Sequence, residues 1–106
     1  MTLEWTDAAI RHLHAAHSYI REQNATAADE VVGRIASAVD GLRGFPQIGR
    51  PGRVEGTREL VIRQTPFVVA YVVRPSAIRV LAVLHGAQQW PASFAAGLPP
   101  DAPKIK

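Results

Sequence analysis

The chain has 106 residues, no Cys, 47% hydrophobic residues and a formal net charge of +3. That length fits one domain with a modest core, and the apolar content excludes a wholly disordered chain. Without Cys there are no disulfides, no Cys-ligated zinc and no thiol catalysis, which fits a reducing cytosol. The longest apolar run, residues 66–73, is far too short to span a membrane, and residues 1–23 hold no continuous apolar signal-peptide core.

The charge is unevenly spread. Residues 1–42 hold three Arg against six acids, 3 − 6 = −3. Residues 43–80 hold seven Arg against Glu55 and Glu59, 7 − 2 = +5. An Arg-rich back half suits an anionic partner, or simply a solvated basic surface.

Residues 2–5 alternate polar and apolar, as a short strand does. Thr6 is a helix N-cap, Asp7 suits the positive end of the helix dipole, and Trp5 and Ile10 have the spacing of a hydrophobic staple. Ile10, Leu13, Ala16 and Ile20 then form a helical stripe that ends near Gln23 and Asn24. A second cap is read at Thr26, with Asp29 three residues on. The stripe Ala28, Val32, Ile35, Val39, Leu42 follows. Gly44 suits a left-handed stop and Pro46 prevents continuation. The link is so short that the two helices must form an antiparallel hairpin.

Residues 44–56 are a Gly/Pro loop. Three strand-like runs come next, at 57–63, 66–73 and 78–84, joined by links short enough for hairpins. They predict an antiparallel meander, with the central run apolar on both faces and therefore covered on both, or nearly so. Residues 92–106 form a Pro-rich tail behind a single domain at 1–91, with a possible turn of helix around Ala92 to Ala96. The predicted fold is α+β: an N-terminal strand and a helix hairpin packed on a small, mainly antiparallel sheet, in the order β-α-α-β-β-β.

Several segments carry a family resemblance. They are Phe45-Pro46-Gln47-Ile48-Gly49-Arg50-Pro51-Gly52-Arg53, Gly56-Thr57-Arg58-Glu59-Leu60-Val61, the apolar run 66–73, and residues 78–87 followed by Trp90-Pro91. With Leu3-Glu4-Trp5-Thr6 at the front, this text resembles the RelE/ParE toxin superfamily, the small basic toxins of type II toxin–antitoxin systems often labelled plasmid stabilisation proteins. The resemblance covers roughly residues 3–91. It implies a cognate antitoxin with an acidic, amphipathic C-terminal segment, no cofactor and no membrane association. RelE-like members cut mRNA on the ribosome without a metal; ParE-like members inhibit DNA gyrase and are not nucleases. Fold alone does not choose between them.

Metal-free RNA cleavage needs a group to activate the 2′-hydroxyl, donors for the phosphorane charge and an acid for the leaving oxygen. The residues that could supply them are Arg58, Arg63, Tyr71, Arg79 and His85. On an ideal pleat Arg58 and Arg63 point to opposite faces. Val68 and Gln88 stand where ribonuclease relatives often carry Arg, and Phe67 where many have Tyr. The set is poor for a ribonuclease, which favours the ParE-like branch. Arg50, Arg53, Arg58 and Arg63 are the candidate partner-binding residues. Arg58 retains a structural reading, in which the pair Arg58–Glu59 forms cross-strand ion pairs. His85 reads better as a hydrogen-bonded strand end, and Tyr71 and Trp90 as core or core-rim aromatics. Among His12, His14 and His17 only the last two have i,i+3 spacing, with no third ligand in view, so no metal site is expected.

Overall fold

The computed structural model describes residues 1–86. In chain order the elements are β1 (Thr2–Trp5), α1 (Asp7–Arg21), α2 (Ala25–Asp40), a 3-10 turn (Gly41–Arg43), β2 (Arg50–Pro51), β3 (Arg58–Val61), β4 (Phe67–Val73) and β5 (Ala77–His85). The five strands form one sheet in the order β1-β5-β4-β3-β2. β1 runs parallel to β5, and every other pairing is antiparallel. The α+β architecture and the meander are as the sequence predicts. β2 is an addition, set inside the Gly/Pro loop.

Thr6 caps α1 as expected, its Oγ1 accepting from Ala9 N–H at 3.1 Å. The same hydroxyl donates to Leu81 O at 3.2 Å, and Thr6 N–H donates to Val80 O, so the cap also pins α1 to β5. Only half of the staple is realised: Trp5 packs on the core, whereas Ile10 is exposed and Ala9 takes the buried position. The second cap is Asn24 rather than Thr26. Its Oδ1 accepts from Ala27 N–H at 3.0 Å, which starts α2 two residues earlier. Gly44 does not make a left-handed stop. Its φ is −87°, and the chain leaves α2 through the 3-10 turn, with Gly44 N–H bonded to Gly41 O.

The helix stripes and one sheet face form the main core: Ala9, Ile35, Val39 and Leu42 against Ile62, Val69, Tyr71, Ile78, Val80 and Val83. A bulge makes this set possible. Ala70 pairs with Ala82 but Tyr71 with Val80, leaving Leu81 unmatched. The extra residue reverses the in–out alternation of β5, so Ile78, Val80 and Val83 all face the helices. Ala70, Ala82 and Leu84 form a second buried cluster on the other face. Val68 to Val72 are all buried, as a strand apolar on both faces requires. Among the described residues β5 has no strand neighbour on the β1 side beyond Val80, and there α1 supplies a partner: Val83 N–H donates to His12 Nδ1 at 3.2 Å. The β3–β4 hairpin turns through Gln64 at φ 64°, closed by Ile62 N–H to Phe67 O. Among the described residues no helix is long and apolar enough to cross a membrane. The Pro-rich tail, its expected turn, Gln88 and Trp90 lie outside the described residues.

Candidate functional site

Arg50, Arg53 and Arg58 gather at the β2–β3 edge, and a buried carboxylate organises two of them. Glu59, on β3, is 3% exposed. Its Oε1 accepts from Arg50 Nε and Nη2 at 3.3 and 3.0 Å. Its Oε2 accepts from Arg53 N–H at 3.0 Å and lies 3.3 Å from Arg53 Nε. Arg53 Nη2 also donates to Gly86 O, tying the loop to the end of β5. Of the expected cross-strand ion pairs Glu59 makes one, with Arg50 of β2, whereas Arg58 bonds backbone carbonyls. Neighbours along a strand point to opposite faces, so Glu59 meets the loop arginines and Arg58 meets something else.

Arg58 faces Tyr71 across the β3–β4 ladder. Both hold the loop after the 3-10 turn. Arg58 Nη1 donates to Gly49 O at 2.7 Å and to Gln47 O at 3.3 Å. Tyr71 Oη accepts from Gly49 N–H at 2.9 Å and donates to Pro46 O at 2.8 Å. Burial pushes the Tyr71 phenol above its ordinary pKa; the Gly49 hydrogen bond and the Arg58 charge pull the other way but do not offset it. A buried, doubly bonded phenol with a raised pKa is a poor proton acceptor at neutral pH.

The other candidates stand apart. Arg63 follows β3, exposed in the hairpin turn. Arg79 is on the opposite sheet face from Tyr71, where Nη2 bonds Glu4 Oε1 at 2.9 Å. His85 pairs with Phe67 at the far end of β4, its ring edge-on to the Phe67 ring at 5.9 Å. Phe67 and Tyr71 lie four positions apart, about 13 Å along a strand. The structure thus brings Arg58 and Tyr71 together and leaves Arg63, Arg79 and His85 elsewhere. His17 binds Asp29 across the hairpin at 2.9 Å, and among the described residues no cluster of three or more His, Cys, Asp or Glu side chains could hold a metal ion.

Two features escaped the sequence reading. Glu59 as the organiser of two arginines had one available signal, an acid inside a strand followed by apolar residues and preceded by two loop arginines. The second is a groove of about 680 Å3 between α2 and β3, walled by Ala38, Phe45, Ile48, Leu60 and Val61, with Arg34 and Arg63 among its polar lining. Exposed Phe45 and Ile48 in a Pro/Gly loop were its visible trace.

The family profile described as "ParE toxin of type II toxin-antitoxin system, parDE" matches residues 3–90. The Y4kP protein of Sinorhizobium fredii is 42% identical over 89 residues, covering 84% of this chain and 92% of that protein. Toxin RelE2 of Caulobacter vibrioides is 31% identical over 84 residues, 79% of this chain and 93% of that protein. A chain from a chromosomal ParDE toxin–antitoxin system of P. aeruginosa superposes with a TM-score of 0.75 at 27% identity, over 80% of this chain and 95% of that one. The chain belongs to the ParE toxin family, within the RelE/ParE superfamily of type II toxin–antitoxin toxins.

Proposed function

We propose that this toxin acts in the cytoplasm by inhibiting DNA gyrase, without enzymatic activity or cofactor, and is neutralised by a cognate antitoxin that covers the Arg50 to Arg63 region. In this reading residues 1–91 are the toxin domain and 92–106 a tail. The observation that carries it is the engagement of the would-be catalytic groups in holding the fold. Arg58 and Tyr71 both bind backbone carbonyls of one loop, and Arg79 binds Glu4. Arg58 directs Nη1 to these carbonyls and Tyr71 its one hydroxyl proton to Pro46 O, so the tyrosine has no proton to give a leaving group without releasing the loop. The family profile supports the same branch.

The relative named Toxin RelE2 favours a second reading, a ribosome-dependent mRNA endoribonuclease using Arg58, Arg63, Tyr71, Arg79 and His85. A third possibility on this fold is an inactive binding module. The test is expression without antitoxin, with gyrase supercoiling and translation followed in parallel. Loss of supercoiling with intact mRNA is expected. Cleaved mRNA with normal supercoiling would overturn the gyrase reading, and harmless expression would overturn both toxin activities.

A further inference from the structure

The loop between the 3-10 turn and β2 holds two large apolar side chains in water. Phe45 is 70% exposed and Ile48 66%, and Val61 on neighbouring β3 is 49% exposed. All three line the groove between α2 and β3. Tyr71 and Arg58 bond the backbone at Pro46, Gln47 and Gly49, which keeps the loop from folding these side chains inward. The facing wall has room, since a Cβ added at Gly33 or Gly41 would meet nothing within 4 Å. A rigid, contiguous apolar patch of this kind calls for a cover.

The chain itself carries one. It leaves β5 at Gly86, whose N–H donates to Pro66 O at 2.6 Å and whose carbonyl accepts from Arg53 Nη2 at 3.1 Å. Arg63, which lines the groove, is three positions from Pro66 in the same hairpin and so within about 11 Å of it. Along α2 the groove runs from Glu30 to Gly41, about 16 Å of helix. The fourteen residues 87–100 reach about 45 Å when extended, more than both spans together. Their composition fits the surface. They include no Asp, Glu, Lys or Arg, so laying them on apolar side chains strips no charge of water. Trp90, Phe94 and Leu98 recur every four residues, the spacing of one helix face. Pro91, Pro99 and Pro100 reduce the entropy lost when the segment is ordered. Asp101 comes next, and Arg34 and Arg63 make no ion pair among the described residues. Phe94 and Leu98 lie beyond the segment that the family profile matches.

We propose that residues 87–101 fold back as a strap over the α2–β3 groove, seating Trp90, Phe94 and Leu98 on Phe45, Ile48 and Val61 and bringing Asp101 to the two groove arginines. The strap is a tethered competitor for the patch. A short tether gives an effective concentration on the order of millimolar, so a weak contact closes it. An outside partner then binds only the fraction of chains whose strap is released, which lowers its apparent affinity by that fraction. The inference needs neither toxin mechanism to hold.

The test uses the full-length chain, whose lack of Cys allows a single nitroxide label at Ala96→Cys. Amide relaxation in NMR should be enhanced several-fold more at Gly33, Ile48 and Val61 than along β1, toward the other edge of the sheet. Adding Phe94→Ser/Leu98→Ser to the labelled chain should abolish that difference and raise the fluorescence of an apolar dye several-fold, because the patch is laid open. Phe45→Ala/Ile48→Ala should abolish the difference from the other side. Both of those side chains are exposed, so the fold tolerates the change, and an unaltered amide spectrum of the sheet checks that it has. Enhancement no larger at the groove than at β1 overturns the inference, as does enhancement that persists in both double variants. Enhancement transmitted only from a labelled second chain overturns it too, since the patch then joins two copies.

Discussion

Replacing Glu59 by Ala tests whether one buried carboxylate holds the arginine edge together. The side chain accepts from Arg50, from the Arg53 backbone and from the Arg53 guanidinium group, while 3% exposed. A hydrogen bond involving a charged group is worth about 1.5–3 kcal/mol when dry. The Arg50 and Arg53 side chains are 57% and 37% exposed, so water competes for both and each ion pair is discounted to about 1 kcal/mol or less. The bond from Arg53 N–H retains most of its value. The sum is roughly 2–3 kcal/mol, a fall of about 10–20 °C in melting temperature for a chain of this size.

The contrast with the arginine variants is sharper than the absolute number. Arg50→Ala should cost about 1 kcal/mol, because Arg53 still faces the carboxylate. Arg50→Ala/Arg53→Ala leaves Glu59 with one backbone donor and should cost nearly as much as Glu59→Ala, the signature of a buried charge stripped of its partners. Thermal and urea unfolding measured on all three variants check this order. A Glu59→Ala variant within about 0.5 kcal/mol of wild type would refute the reasoning, since that is the range of an ordinary surface substitution.

Three more outcomes follow from the geometry. Thr6→Ala removes both the α1 cap and the bond to Leu81 O and should cost about 1–2 kcal/mol, read by urea unfolding, with Thr6→Ser recovering most of it. Gly49→Ala should destabilise the chain and abolish the slow exchange of the Gly49 amide in hydrogen-exchange NMR, because the new Cβ collides with Tyr71 Oη. His12 gives a pH dependence. Burial first, and then the charge of Arg11, lowers its pKa below the ordinary 6.5, and its Nδ1 must be unprotonated to accept from Val83 N–H. Below pH 6.5 the unfolded chain therefore binds more protons than the folded one. The stabilisation is full above pH 6.5 and is lost as the pH falls from there to the lowered value. Chemical denaturation across that window should show the loss, and in His12→Gln a shallower slope.

The helices were legible because their stripes depend only on local spacing: Ala28, Ile35, Val39 and Leu42 are buried where a 3.6-residue period puts them. The meander was legible because Arg74-Pro75-Ser76 and Gln64-Thr65 break the chain between β-branched runs. What escaped depends on contacts distant in sequence. The bulge at Leu81 is set by how β5 must present Val83 to the helices, and nothing in the run 77–85 announces it. Asn24 outcompetes Thr26 because it lies at the point where the chain leaves α1, an extended residue with a free side-chain oxygen. His12 looked like one of three scattered histidines, yet it completes the edge of β5 from 71 residues away. At the candidate site the residue types were readable and their partners were not. Arg58 and Glu59 are neighbours in sequence and point to different tasks.

That separation bears on how one fold can serve unlike activities. A +5 segment looks suited to polyanion binding, but the formal count includes Arg50 and Arg53 on Glu59, Arg79 on Glu4 and Arg43 on Asp40. Two of those acids, Glu4 and Asp40, lie outside the segment, so the sum over residues 43–80 overstates the field a partner meets. Arg58 keeps its charge, and its Nη1 is directed at the carbonyls of Gln47 and Gly49. Arg34 and Arg63, which make no ion pair among the described residues, border an apolar groove. Phosphate recognition calls for clustered donors aimed at one point, whereas protein recognition calls for an apolar centre with charge at its margin. The described residues have the second arrangement. On physical grounds, then, most of the basic segment's charge is engaged within the fold: Arg50 and Arg53 hold Glu59, Arg43 and Arg79 hold acids outside the segment, and Arg58 fixes the loop that presents Phe45 and Ile48.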